Sequence, residues 1–154
     1  MNSSAPSIVT VPSSVTVPAG AISATFPITT VPVSANVTVG IHGIYNSVNK
    51  AANLNVKAPV ISLIKLNPTI VKGGVQNSTG TVTLTGIAPV GGIIVTLSSS
   101  DTTAATVPIS VTVPAGSKTA PFTVTSLPVA IQKKPIISAT TGTVSKSAVL
   151  TVNP

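Results

Sequence analysis

Thr10-Val11-Pro12-Ser13-Ser14-Val15-Thr16-Val17-Pro18-Ala19-Gly20 returns as Thr106-Val107-Pro108-Ile109-Ser110-Val111-Thr112-Val113-Pro114-Ala115-Gly116. Val and Thr alternate through Val15-Thr16-Val17 and Val111-Thr112-Val113, the two-residue period of a half-buried strand. Both residues are β-branched, which suits a pleated surface and costs rotamer freedom in a helix. The Val-Pro-Ala-Gly ending, present in both copies, fits a type I turn with Pro second and Gly fourth. Strand followed by tight turn, stated twice, points to an all-β chain.

The repeat extends well beyond the quoted stretch. At a shift of about 96 residues it runs without a gap from Asn2 opposite Ser98 to Ala58 opposite Pro154. About 23 of roughly 57 aligned positions are identical, far above chance. Phe26 aligns with Phe122, Pro32 with Pro128, Ile41 with Ile137, Leu54 with Leu150 and Val56 with Val152. Both phenylalanines of the chain thus hold one repeat position, as a core anchor should.

Composition agrees with a strand-rich reading. Among 154 residues, 43% are hydrophobic, 2% aromatic and 6% charged, with 14 Pro and 11 Gly. Proline and glycine punctuate the chain too often for long helices. Abundant aliphatic residues and sparse charge exclude a disordered polymer. A mean hydropathy of +0.62 raises the question of a membrane span. A spanning helix needs roughly 20 consecutive apolar residues, and Thr, Ser, Pro or Lys interrupts every run.

In the second copy, strands are expected at Ile61–Leu66, Thr79–Thr85, Ile93–Ser98, Ala104–Val107, Ile109–Val113, Thr119–Thr125, Ile136–Thr140 and Val144–Val152. Seven or eight short strands with frequent turns form the pattern of a β-sandwich. Val82, Leu84, Val95, Leu97, Phe122, Val124, Ile137 and Leu150 are its expected core. In the final hairpin Asn46 aligns with Gly142, two residue types that tolerate positive φ.

Several segments resemble the Ig-like tandem repeats of bacterial and archaeal secreted and cell-surface proteins. They are Leu-Asn-Pro-Thr (66–69), Ser-Thr-Gly-Thr-Val-Thr-Leu-Thr-Gly (78–86), Gly-Gly-Ile-Ile-Val-Thr-Leu-Ser-Ser-Ser (91–100), Ala-Thr-Val-Pro-Ile-Ser-Val-Thr-Val-Pro-Ala-Gly (105–116) and Ala-Val-Leu-Thr-Val (148–152). The resemblance implies Ig-like β-sandwich repeats, an extracellular or cell-surface location and neighbouring repeats of the same array as partners. It implies no catalytic residue. On this reading 59–154 is one complete Ig-like repeat. Residues 1–58 are the C-terminal part of another, lacking the counterpart of Val60–Leu97. That remnant is expected to show unpaired strand edges and an uncovered apolar face of Phe26, Ile28, Val39, Ile41, Leu54 and Val56, and Met1 is expected to be an arbitrary start within a longer protein. No signal peptide is visible at Met1-Asn2-Ser3-Ser4-Ala5-Pro6.

The chemistry-bearing residues are few. The chain has one acid (Asp101), one histidine (His42), no Glu, no Arg and no Cys. Paired-carboxylate catalysis and a multi-carboxylate calcium site are excluded within one chain. Two candidate ligands fall short of the three or four that zinc takes. No nucleophile-elbow pattern surrounds any serine, so a Ser-His-Asp triad has no support. A lysine–asparagine crosslink would need a buried acid, and the loop context of Asp101 argues against one. The repeat also serves as an internal control. Asp101 aligns with Ala5, His42 with Ser138 and Tyr45 with Thr141, so none of these residues recurs. Asp101 is expected to cap local backbone N–H groups, and His42 and Tyr45 to be surface partners near a hairpin. No catalytic, cofactor-binding or metal site is expected.

Eight lysines (50, 57, 65, 72, 118, 133, 134 and 146) give a net charge of +7. They are scattered and lack interleaved aromatics, which speaks against nucleic acid. Lysine on exposed strands discourages edge-to-edge pairing. The sequence therefore favours a non-enzymatic structural spacer or stalk repeat. The alternative is an adhesive module engaging glycans or, weakly, anionic polysaccharide through the lysines. Three sequon matches, at Asn2, Asn36 and Asn77, arise easily in a chain so rich in Ser and Thr.

Overall fold

The computed structural model describes residues 1–154, which form strands and turns without a helix. It divides into two compact units, Met1–Ala58 and Pro59–Pro154. The first holds β1 (Asn2–Ser3), β2 (Val9–Thr10), β3 (Thr29–Thr30), β4 (Val37–Tyr45) and β5 (Val48–Val56). The second holds β6 (Ile61–Asn67), β7 (Ile70–Lys72), β8 (Ser78–Leu84), β9 (Ile93–Ser99), β10 (Ala105–Thr106), β11 (Ser110–Val113), β12 (Thr119–Ser126), β13 (Ile136–Thr141), β14 (Val144–Val149) and β15 (Thr151–Asn153).

The second unit is a β-sandwich. One four-stranded sheet runs β10-β12-β8-β6 and the other β11-β9-β13-β14, with all neighbours antiparallel. Period-2 patterning turns one face of each sheet inward. On β12, Ala120, Phe122, Val124 and Ser126 are buried while the residues between them are exposed. Val82 and Leu84 from β8, Val95 and Leu97 from β9, Ile137 and Ala139 from β13, and Leu150 complete one continuous core. All eight expected core residues are buried. The buried polar groups are satisfied. Ser126 Oγ donates to Gln76 O at 2.8 Å, Ser78 Oγ donates to Pro68 O at 2.6 Å, and Thr141 Oγ1 accepts the Ile61 N–H at 2.8 Å.

Three local expectations need correction. The strand expected over Val144–Val152 breaks at Leu150. Leu150 turns its side chain into the core and donates its N–H to Pro135 O at 3.0 Å. The chain beyond it, β15, pairs in parallel with β7, a strand the sequence reading missed. The repeated turn is likewise not type I. Ala21 N–H bonds Pro18 O and Ser117 N–H bonds Pro114 O, each at 3.0 Å, so Pro is first and Gly third. Gly20 and Gly116 take φ of +80° and +78°, the third-position geometry of a type II turn, which only Gly meets without strain. Finally, Val39 (0% exposed) and Ile41 (7%) are not part of an open face. They close with Val9 into a small core of the first unit.

The first unit reproduces several pairings of the second. Asn2 pairs with His42 as Ser98 pairs with Ser138. Val9 pairs with Thr30 as Ala105 pairs with Ser126. Gly40 N–H bonds Ser4 Oγ at 2.9 Å, and Ile136 N–H bonds Ser100 Oγ at 2.8 Å. Where the counterpart of a ladder partner is lacking, the strand is lost as well. Residues 14–17, equivalent to β11, and residues 23–28, equivalent to most of β12, are irregular. A strand is held by its ladder, so identical sequence without a neighbour stays coil.

Candidate functional site

The first unit carries an open groove of about 710 Å³. One wall is Ser13–Val15 with Val17, and the other is Gly43–Asn46 with Val48 and Lys50; Met1 lies at its end. The β4–β5 hairpin pairs from Val37/Val56 to Tyr45/Val48, and its tip is a two-residue turn. Asn46 and Ser47 both take positive φ there, +46° and +63°, as a twist-matched type I′ hairpin turn requires. The expected left-handed backbone at Asn46 and Gly142 is present, Gly142 standing at +55°. The opposite wall follows the Val11–Val17 segment toward the Pro18–Ala21 turn.

The groove is apolar and uncovered. Ile44 is 59% exposed, Tyr45 80% and Val17 49%. Lys50 is its only ionisable wall residue apart from the Tyr45 phenol and the Met1 amine. The Met1 amine bonds Ser13 O at 2.7 Å. The sequence reading picked out Tyr45 but missed Val15, Val17, Ile44 and Val48. The signal was available in the repeat, because Val17 aligns with Val113, which is fully buried in the complete sandwich.

The other singled-out residues lie apart from this groove. His42 sits on β4 opposite Ala51 and is half-buried, with Gly40 close beneath its ring. Asp101 caps its own loop: Oδ1 accepts the Thr103 N–H at 3.0 Å and the Thr103 hydroxyl at 2.6 Å. Lys133 Nζ stands 3.7 Å from Oδ2. The Thr103 hydroxyl, above all, holds the Asp101 carboxyl below its ordinary value of 3.8, with Lys133 helping and burial opposing. Asp101 and His42 belong to different units. No three His, Cys, Asp or Glu side chains gather into a potential metal cluster. No helix is long and apolar enough to cross a membrane.

Of the eight lysines, seven are exposed and Lys133 is half-buried. Lys50, Lys65 and Lys146 stand on β5, β6 and β14, each the last strand of its sheet. Cations there oppose the addition of a further strand to a bare edge. Asn77 Oδ1 accepts the Ser126 N–H at 3.1 Å and Asn36 Oδ1 the Ala58 N–H at 2.9 Å, so two of the three sequon asparagines are engaged in local bonds.

No protein family and no curated protein matches the sequence. Among solved structures, the chain is similar to the D00-D0 domain of intimin. Identity is 19% over 88% of this chain and 73% of that one, with a TM-score of 0.45. It is also similar to domains 1-6 of the surface layer protein SbsC, at 25% identity and a TM-score of 0.41. There the match covers 98% of this chain and spans 19% of the SbsC chain.

Proposed function

We propose that the chain is a non-enzymatic structural repeat of an exported or cell-surface array, serving as a load-bearing spacer. The observation that carries this reading is the parallel pairing of β7 with β15. These strands lie toward opposite ends of the second unit's sequence and are joined at Ile70–Thr151, Val71–Val152 and Lys72–Asn153. Thr151 N–H bonds Thr69 O at 2.8 Å, and Gly73 N–H bonds Asn153 O at 2.9 Å. Tension applied through residues 59 and 154 pulls two parallel strands in opposite directions along their length. Their bonds are loaded together, in shear, instead of one after another. The core, aliphatic apart from Phe122, and the absence of Asp101, His42 and Tyr45 counterparts in the other copy also suit a spacer. The resemblance to surface-protein repeats supplies the location.

The chain has no cysteine, so handles can be introduced at will. In the 154-residue protein, pulling between Pro59→Cys and Pro154→Cys should give one cooperative rupture. Its force should exceed that for pulling between Ile136→Cys and Val149→Cys, which unzips the β13–β14 hairpin pair by pair. Rupture at equal or lower force from the ends would remove the mechanical reading.

The adhesive alternative is favoured by the charge of +7. Scattered exposed lysines would give weak association with an anionic polysaccharide, lost by about 0.2 M salt because such charges are screened beyond ~10 Å. A salt-resistant, saturable complex with one glycan would replace the spacer by the adhesin.

A further inference from the structure

On one flank of the second unit the chain passes from β10 in one sheet to β11 in the other, and both sheets leave main-chain groups unpaired there. Which groups face outward follows from single rungs, because bonded and non-bonded pairs alternate along an antiparallel ladder. Leu97 N–H bonds Ile109 O at 2.9 Å. Val111 opposite Val95 and Val113 opposite Ile93 therefore bond inward to β9, and Ser110 and Thr112 turn their N–H and C=O groups outward. β11 ends its sheet, so no strand receives them. By the same alternation the next outward positions are 108 and 114. Both are proline, which has no N–H to present.

β12, beside β11 on this flank, shows the same arrangement. Leu84 N–H bonds Lys118 O at 2.9 Å, so Ala120 opposite Val82 and Phe122 opposite Gly80 bond inward to β8. Thr119, Pro121 and Thr123 face the other way. β10 covers that side of β12 only from Thr125 onward. Pro121 thus stands at the centre of the open part of the edge. Pro108, Pro114 and Pro121 are all exposed. The opposite flank is built differently. There β14 lies alongside β6, each carries one lysine (Lys146 and Lys65), and neither contains a proline. Pro108 and Pro114 recur in the first copy as Pro12 and Pro18.

We propose that Pro108, Pro114 and Pro121 are guards that close this flank to a strand from a second copy of the chain. The hazard they meet is local. Ile109–Val113 is an uncharged run of strand-forming residues, the type that pairs with its own kind at a bare edge. Linked copies of one repeat meet at high effective concentration, which raises the hazard further. An added antiparallel strand needs donors at alternate residues of the edge. β11 offers two, Ser110 and Thr112, bounded by its prolines. β12 offers Thr119 and Thr123 with Pro121 between them. Neither edge presents three donors in succession. On the opposite flank lysine opposes the same event by its charge. Because the three prolines face outward, they cost the sandwich no ladder bond.

The test compares the 154-residue chain with its variant Pro108→Thr/Pro114→Thr/Pro121→Thr, which restores three outward N–H groups on strand-compatible residues. In sedimentation equilibrium the variant should associate at a concentration at least about tenfold below that of the unchanged chain. Amides of Ser110, Thr112, Thr119 and Thr123 should exchange freely in the unchanged chain and gain protection as the variant associates. Pro121→Thr alone keeps the comparison open if the triple variant folds poorly, with the gain then confined to residues 119–123. Pro128→Thr, at an exposed proline outside any strand, should stay within about twofold of the unchanged chain. The proposal fails if the strand-edge variants associate no more readily than the unchanged chain or than Pro128→Thr. It fails equally if they associate without protection at those four amides. Protection of the same amides in the unchanged chain would also overturn it, because the flank would then already be paired.

Discussion

The Phe122 ring covers Gly80, its cross-strand partner on the neighbouring strand β8, so closely that a Cβ at position 80 would overlap the ring. The glycine supplies a recess and the aromatic supplies the surface that β8 lacks there. Phe122 is 6% exposed as a result. Phe122→Ala should cost about 3–5 kcal/mol, the range for an emptied aromatic site. Gly80→Ala should cost about 1–3 kcal/mol by overpacking. Hydrogen exchange of the β8 and β12 amides in the whole chain reads both. Phe26, its repeat partner, has no β8 to cover and is only half-buried, so Phe26→Ala should cost distinctly less. Equal costs at 26 and 122 would contradict the packing described.

Much of this was legible in the sequence, and the misses have physical reasons. Alternation in Thr79–Thr85 and Thr119–Thr125 announced β8 and β12 because each buries one face along its whole length. Ile70-Val71-Lys72 gave no such signal. It is three residues between Pro68 and Gly73, and its partner β15 lies far along the chain. The break at Leu150 was invisible for the same reason: the counterpart region of β5 runs unbroken to Val56, and only the presence of β7 draws β15 away. Val39 and Ile41 were expected to be bare, yet they pack with Val9 into a core flanked by Ile8, Val11 and by Phe26, Leu54 and Val56 of the same expected face. The groove was implicit in the repeat, but seeing it required knowing that Val113, the counterpart of Val17, is buried.

Thr141 holds the second unit's entering strand. Its hydroxyl accepts the buried Ile61 N–H at 2.8 Å, from the opposite sheet of the sandwich. Thr141→Val keeps the shape and leaves that donor without a partner, at a cost of about 1–3 kcal/mol. The Ile61 amide should lose exchange protection more than its neighbours on β6. Thr141→Ser, which retains the oxygen, should restore most of it.

Ser47 adopts φ of +63° at the tip of the β4–β5 hairpin without being glycine. The left-handed region costs an ordinary L-residue roughly 1–2 kcal/mol, against which glycine's extra unfolded-state entropy must be set. Ser47→Gly should therefore stabilise the hairpin by about 0.5–1 kcal/mol. Protection of the β4 and β5 amides would rise a few-fold. Thr143, aligned with Ser47, does not take positive φ, so Thr143→Gly should give no such gain.

Asp101 is the chain's one acidic side chain, so its titration can be isolated. In the folded protein its carboxyl is held below 3.8, first by the Thr103 hydroxyl and then by the Thr103 N–H and Lys133, against the opposing effect of burial. A group whose folded value is depressed contributes stability above its unfolded value, and that contribution is lost as pH falls through the folded one. Asp101's contribution to the urea midpoint should therefore be full and constant between about pH 5 and pH 8 and be lost progressively below about pH 4. Asp101→Asn should abolish that acid-side loss. Thr103→Ala removes the leading cause and should move the carboxyl upward, read from the single Asp side-chain carbon resonance. Lys133→Met should move it less, and added salt should mimic the lysine change but not the threonine one, because screening acts on charge pairs and hardly on a 2.6 Å hydrogen bond. A larger response to Lys133→Met than to Thr103→Ala would show that the ion pair at 3.7 Å, and not the cap, governs the loop.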